Sequence, residues 1–225
     1  MKNTIWIVAL LCLVACSERQ SGGGGGAGGS SASWQSRFAK GDSEAMKELA
    51  AKGPAALPIL EQLLQDDSET VVQNAAMTMG DLGLAAAPAV PALLEAMGRF
   101  PGNPFVAQTL KELKTEAVPA MVKVLQGSNT DLKREVAKIV GATGVAGEPA
   151  IPALISILEG SDPDPVKLEA IGAVAAISVK VANGDALPIL KQIKSSGGEL
   201  ATYAERAIRR VEHAIEYAAK LAAEK

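Results

Sequence analysis

Among 225 residues, few side chains have the chemistry for a reaction or a metal site. There are two cysteines and one histidine. Cys16 ends the run Leu13-Val14-Ala15-Cys16, and its thiol is the one strong nucleophile in that run. Cys12 lies inside an apolar run just before it. His213 stands three residues before Glu216, but a metal site needs further ligands and no second imidazole exists. It reads as an exposed residue, and an ordinary histidine relay is excluded. The carboxylate pairs Asp66-Asp67 and Asp162/Asp164 could suggest acid–base work or calcium. Both fall in polar turn segments, where aspartate caps helix N–H groups, and capping is the reading adopted. Lys133, Arg134 and Lys138 cluster, with Lys167 one repeat further on; they form either a seat for an acidic ligand or a solvated face. Phe100 and Phe105 flank a Pro/Gly turn, where aromatics either anchor a partner or fill a packing gap. No catalytic constellation, metal or cofactor is expected, so the chain reads as a non-enzyme.

The elements around Cys16 explain its position. Lys2 gives a short positive start, and residues 5–14 form an apolar stretch of ten. A membrane-spanning helix needs about 20 apolar residues, so residues 1–15 have the anatomy of a cleaved signal peptide. Leu13-Val14-Ala15-Cys16 resembles the lipobox of bacterial lipoproteins: aliphatic, small or aliphatic, small, then cysteine. The resemblance implies a diacylglyceryl group on the Cys16 sulfur, cleavage before Cys16 and acylation of the new amine. Ser17 in the next position implies sorting to the outer membrane, facing the periplasm, rather than retention at the inner one. Residues 16–33 carry seven of the 22 glycines and read as a disordered tether. Such a coil spans roughly 20–25 Å root-mean-square.

Composition bounds the rest. Apolar residues make up 48%, aromatics 3%, and 40 residues are alanine, which suits closely packed helices and not a sandwich or barrel. The net charge of −3 gives no electrostatic reason to bind nucleic acid or anionic lipid. Attachment to a membrane would therefore come from acyl chains, at about 0.8 kcal/mol per buried CH₂. Residues 34–110 hold 5 basic and 9 acidic groups, against 15 of each in residues 111–225, so the acidic end comes first.

Residues 34–225 repeat themselves. Ala56-Leu57-Pro58-Ile59-Leu60 returns around Pro91, Pro119, Pro152 and Pro188. Proline is tolerated in a first helical turn, where its missing N–H had no partner, so each pentapeptide opens a helix. Polar breakers follow, as at Asp66-Asp67-Ser68, and then a second apolar periodicity, as at Val71, Ala75, Ala76, Met79 and Leu82. A helix pair of this size cannot bury its own apolar face, but stacked pairs can. The terminal segments read as caps: one amphipathic helix within residues 34–53, and a long last helix with Leu200, Ala204, Ile208, Val211 and Ile215 inward.

Gly147-Glu148-Pro149-Ala150-Ile151-Pro152-Ala153-Leu154, with Val71 through Gly83, resembles the HEAT-repeat family, particularly the short bacterial repeats of phycobilin lyase subunits. The resemblance covers about 190 residues. It implies an all-α, right-handed solenoid of about five helix pairs with helical caps, whose second helices line the concave face. The family's arginine ladder with turn aspartates is incomplete, because Val72, Lys133, Lys167 and Ala201 occupy its position; partial rungs are expected only in the middle repeats. The resulting expectation is a lipid-anchored scaffold for an unidentified protein partner, monomeric by default, without nucleic acid. An enzyme accessory subunit and a purely structural envelope component are the alternatives.

Overall fold

The computed structural model describes residues 30–224; the signal segment at 1–15, Cys16 and most of the tether lie outside the described residues. From Ser31 onward the chain forms one compact unit. Among the described residues there are twelve α-helices, four 3-10 segments and no strand. The helices are α1 (Ser31–Ala39), α2 (Ser43–Ala51), α3 (Leu57–Leu64), α4 (Glu69–Asp81), α5 (Val90–Arg99), α6 (Pro104–Glu112), α7 (Val118–Leu125), α8 (Thr130–Ala142), α9 (Ile151–Glu159), α10 (Asp164–Val181), α11 (Leu187–Ser196) and α12 (Glu199–Ala223). From α3 onward they form five stacked pairs, so the chain is an all-α solenoid. Each second helix packs on its own first helix and, for all but the last, on the second helix of the next pair.

The repeated pentapeptide acts as its spacing requires. Helices α3, α5, α7, α9 and α11 all carry proline in their first turn. A 3-10 segment precedes each of the first four. The chain leaves α2, α4 and α8 through a residue in the left-handed region, where Gly53, Gly83 and Gly144 have φ of +58°, +56° and +64°. Lys114 and Ala182 take the same conformation after α6 and α10, at φ +44° and +50°, with a Cβ that disfavours it.

Leu60, Leu64, Val72, Met79, Leu93, Met97, Leu110, Met121, Val140, Leu154, Val174 and Leu190 run through one continuous buried core. Small residues set the spacing of the second helices. A Cβ on Gly141 of α8 would stand 2.7 Å from Ala173 Cα of α10, so the two backbones are in contact there. Gly147 is as tightly enclosed, by the Val140 carbonyl, Thr143 and Ile177.

Two boundaries differ from the sequence reading. The first helix begins at Ser31, so Ser31, Ala32 and Ser33 belong to the fold and not to the tether. Trp34 and Phe38, both at most 1% exposed, anchor that helix and draw its first turn into register. The amino-terminal cap is two helices rather than one. Gly41, at φ +66°, reverses the chain, and the Asp42 carboxylate accepts from the N–H groups of Glu44 (3.0 Å) and Ala45 (3.1 Å) to start α2. Arg37 donates to Asp42 at 2.7 Å and to Glu48 at 3.0 Å, tying the cap helices together. The hydrogen bond from Arg37 is the main cause that holds the Asp42 carboxyl below its ordinary range, with the Ala45 N–H next. The same contacts raise Arg37.

Candidate interaction surface

The pairs are joined by polar contacts as well as apolar ones. Asn74 of α4 donates to the Phe38 carbonyl of the cap at 2.8 Å. Thr109 of α6 donates to the Ala76 carbonyl of α4 at 2.8 Å. Arg99, at the end of α5, donates to the Leu64, Gln65 and Asp66 carbonyls and so caps the C-terminus of α3, where the helix dipole favours a cation.

Lys133 belongs to this set and not to a partner-binding face. It is 8% exposed, and its Nζ meets Asp162 Oδ1 in the next pair's turn at 2.8 Å. This is a rung of the partial ladder expected in the middle repeats. Its register explains why no second rung follows. Lys167 occupies the same place one pair on, but the turn beyond it is Ser195-Ser196-Gly197-Gly198, which has no carboxylate. Lys167 is half-buried, beside a depression of about 330 Å³ lined by Leu158, Glu159 and Ile193. In α6 the equivalent position is Ala107, which can make no rung; the N-cap Asn103 instead reaches back, its NH₂ donating to Glu69 of the preceding pair at 3.3 Å while its carboxamide oxygen caps its own helix.

The other candidates separate. Arg134 is half-buried, 3.5 Å from Glu135, and its Nε is buried without a hydrogen-bond partner. Lys138 is exposed and shares Glu135 at 3.2 Å. Phe100 and Phe105 are half-buried against the core, and Arg99 lies over the Phe100 ring at 5.3 Å, so both aromatics pack the irregular second pair. Asp66 accepts from the Ser68 N–H at 2.7 Å and orders its turn. Asp162 is engaged by Lys133, so it does not cap; α10 starts after Pro163 without a side-chain cap.

His213 is exposed, as its position on the last helix requires. That helix holds a feature the inward-facing periodicity hid. Tyr203, Arg206, Arg210, His213 and Tyr217 follow i, i+3, i+7, i+10, i+14 spacing along α12 and all five are exposed. On its other flank, Glu205 and Glu212 meet Lys194 (3.4 Å) and Lys191 (2.8 Å) of α11. The carboxylates of α12 are thus partly neutralised by the neighbouring helix and by Arg209, which lies 3.8 Å from Glu205, whereas Arg206 and Arg210 make no ion pair among the described residues. The outward spacing of Tyr, Arg, Arg, His and Tyr was readable in the sequence, from the same period that places Leu200 and Ala204 inward.

No family model matches the chain, and no curated protein matches it. Among solved structures, an engineered protein from a structural genomics consortium is 17% identical, covers 82% of this chain and 97% of its own, and gives a TM-score of 0.43. A designed armadillo repeat protein is 18% identical, covers 80% and 92%, and gives 0.40. Among the described residues no helix is long and apolar enough to cross a membrane, and no group of three or more His, Cys, Asp or Glu could hold a metal ion.

Proposed function

We propose that this protein is a lipid-anchored, HEAT-like scaffold of the bacterial cell envelope that presents its solenoid surface to a protein partner without catalysing a reaction. The observation that carries the binding role is the stacked array itself. Five helix pairs share one core and leave an extended, ordered surface, the architecture by which repeat proteins bind. The side chains first weighed for chemistry support it: Asp66 orders a turn, and Asp162 is joined to Lys133. The anchoring role rests on Leu13-Val14-Ala15-Cys16 and the glycine-rich segment after it. Ser17 favours the outer membrane, with the solenoid in the periplasm. The acyl chains would set location and the tether reach, raising the effective concentration for envelope partners.

Two measurements test this. In a bacterial host, Cys16→Ser should remove the acyl groups and move the protein from the membrane to the soluble fraction; partition equal to wild type would end the anchoring claim. Crosslinking in intact cells should recover one stoichiometric envelope protein. Recovery of a tightly bound small molecule in its place would point to an enzyme accessory role.

A further inference from the structure

The outer stripe of α12 concentrates the residue types that dominate interfaces. Both tyrosines of the chain, its one histidine and two of its arginines stand on it. Tyr203 is 37% and Tyr217 59% exposed, and Arg206 lies 5.9 Å from the Tyr203 ring centre. Tyrosine and arginine are the commonest energetic anchors of protein interfaces. Among the described residues neither Arg206 nor Arg210 is within 4 Å of a carboxylate, because α12 turns Glu205 and Glu212 towards the lysines of α11. Beside the stripe, Arg209, Arg210 and His213 rim a depression of about 420 Å³ floored by Val179 of α10 and Ala214.

We propose that this stripe is the docking surface for an acidic, extended segment of a partner protein, and so names the chemistry of the partner in the scaffold reading on which it rests. Guanidinium groups bind carboxylates through paired N–H donors, and the flanking tyrosines supply rigid apolar contact. Tyr203 and Tyr217 are fourteen residues apart, about 21 Å along a helix. An extended segment of about six or seven residues covers that length. A narrow segment also suits the charge layout better than an anionic plane does. A plane would meet the acidic flank of α12 and a chain of net charge −3, whereas a single strand can lie along Arg206, Arg210 and His213, between the exposed carboxylates of Glu199 and Glu216.

The test uses the full chain in mild detergent and a fluorescein-labelled octapeptide of alternating Glu and Asp, followed by anisotropy at low salt. Saturable binding is expected, weakening several-fold as salt screens the pairs. Arg206→Glu with Arg210→Glu should weaken it about tenfold or more. Lys40→Glu with Lys123→Glu makes the same charge change on exposed residues elsewhere and should stay within about twofold. Circular dichroism must show the fold retained in both pairs. An absence of peptide binding, or equal loss in both double variants, overturns the proposal. So does stripe-dependent binding to phosphatidylglycerol vesicles without peptide binding, or a concentration-dependent dimer that the arginine variant abolishes. The anchoring and crosslinking tests do not depend on this stripe, so failure here leaves the scaffold reading to be judged by them.

Discussion

Substituting alanine at two glycines one helix apart separates close packing from helix propensity. Gly141 in α8 and Gly172 in α10 both sit inside second helices. A Cβ at Gly141 would lie 2.7 Å from Ala173 Cα and 3.0 Å from Ala173 Cβ, whereas one at Gly172 meets nothing within 4 Å. Carbon atoms rest about 3.5–4.0 Å apart, so Gly141→Ala forces the helices apart by about 1 Å at that point. Overpacking of this size costs about 1–3 kcal/mol. A gap of 0.5–1 Å also forfeits a quarter to a half of each dispersion well it opens, here around Val140 and Val174. The gain in helix propensity returns about 1 kcal/mol. The net expectation is a loss of about 1–2 kcal/mol for Gly141→Ala, and a gain of about 0.5–1 kcal/mol for Gly172→Ala. In a domain of this length those values correspond to a melting temperature lower by about 2–8 °C and higher by about 1–4 °C, respectively.

Urea and thermal unfolding of the full chain, followed by circular dichroism, reads both variants. The sign difference is the result that matters, because repeat arrays need not unfold in one step and absolute values then lose meaning. If Gly141→Ala raises the midpoint as Gly172→Ala does, α8 and α10 do not touch at their backbones, and the close-packed seam between second helices is refuted.

Asp162→Ala should cost about 1–3 kcal/mol, less than for a fully buried pair because the side chains of Lys133 and Asp162 are 11% and 18% exposed; a double-mutant cycle with Lys133→Met should show coupling of at least about 0.5 kcal/mol, and additive losses would dissolve the rung. Ala182→Gly should stabilise by about 0.5–1 kcal/mol by relieving the left-handed φ of +50°, read as a higher urea midpoint. Because Asp42 has a lowered folded pKa, its contribution is complete above the ordinary aspartate value near 4 and is lost as pH falls through the lower folded value. Hydrogen exchange should therefore show α1 and α2 opening first in that acid window, and Asp42→Asn should flatten that dependence.

Proline placement and apolar period were enough to read five helix pairs, because both report strictly local requirements: a first turn that tolerates a missing N–H, and a face that must be buried. Lys133 shows where local reading fails. Beside Arg134 and Lys138 it looks like one of three surface cations, yet its partner Asp162 lies 29 residues away and is brought near only by stacking. The repeat register could place it, since the ladder position is occupied by Lys133, and only the next pair decides whether a carboxylate is there. Asn103 and Arg99 were hidden for a related reason. Each makes a contact that reaches back 34 residues to the preceding pair, and no periodicity announces it. The cap boundary was legible but overlooked: the apolar spacing of Trp34 and Phe38 resumes only at Ala45, and the intervening Gly41 and Asp42 are a stop and a start in two residues.

A solenoid's last helix must cover the final pair on one side and meet water on the other. Any polar residue satisfies the water side, and lysine and glutamate, common elsewhere in this chain, would serve. In α12 that side carries Glu199, Glu216 and Lys220, but also Tyr203, Arg206, Arg210, His213 and Tyr217, while Glu205 and Glu212 are turned to α11. Termination alone requires neither exposed tyrosines nor two arginines left without a carboxylate partner. Tyr217 is 59% exposed, so little of its ring is used in covering the final pair. Replacing both tyrosines with lysine should therefore leave the unfolding midpoint unchanged within about 0.5 kcal/mol, as for ordinary surface sites, while weakening any ligand held by the stripe. If those changes instead unfold the last pair, the tyrosines are packing residues and the outer face of α12 is only a cap.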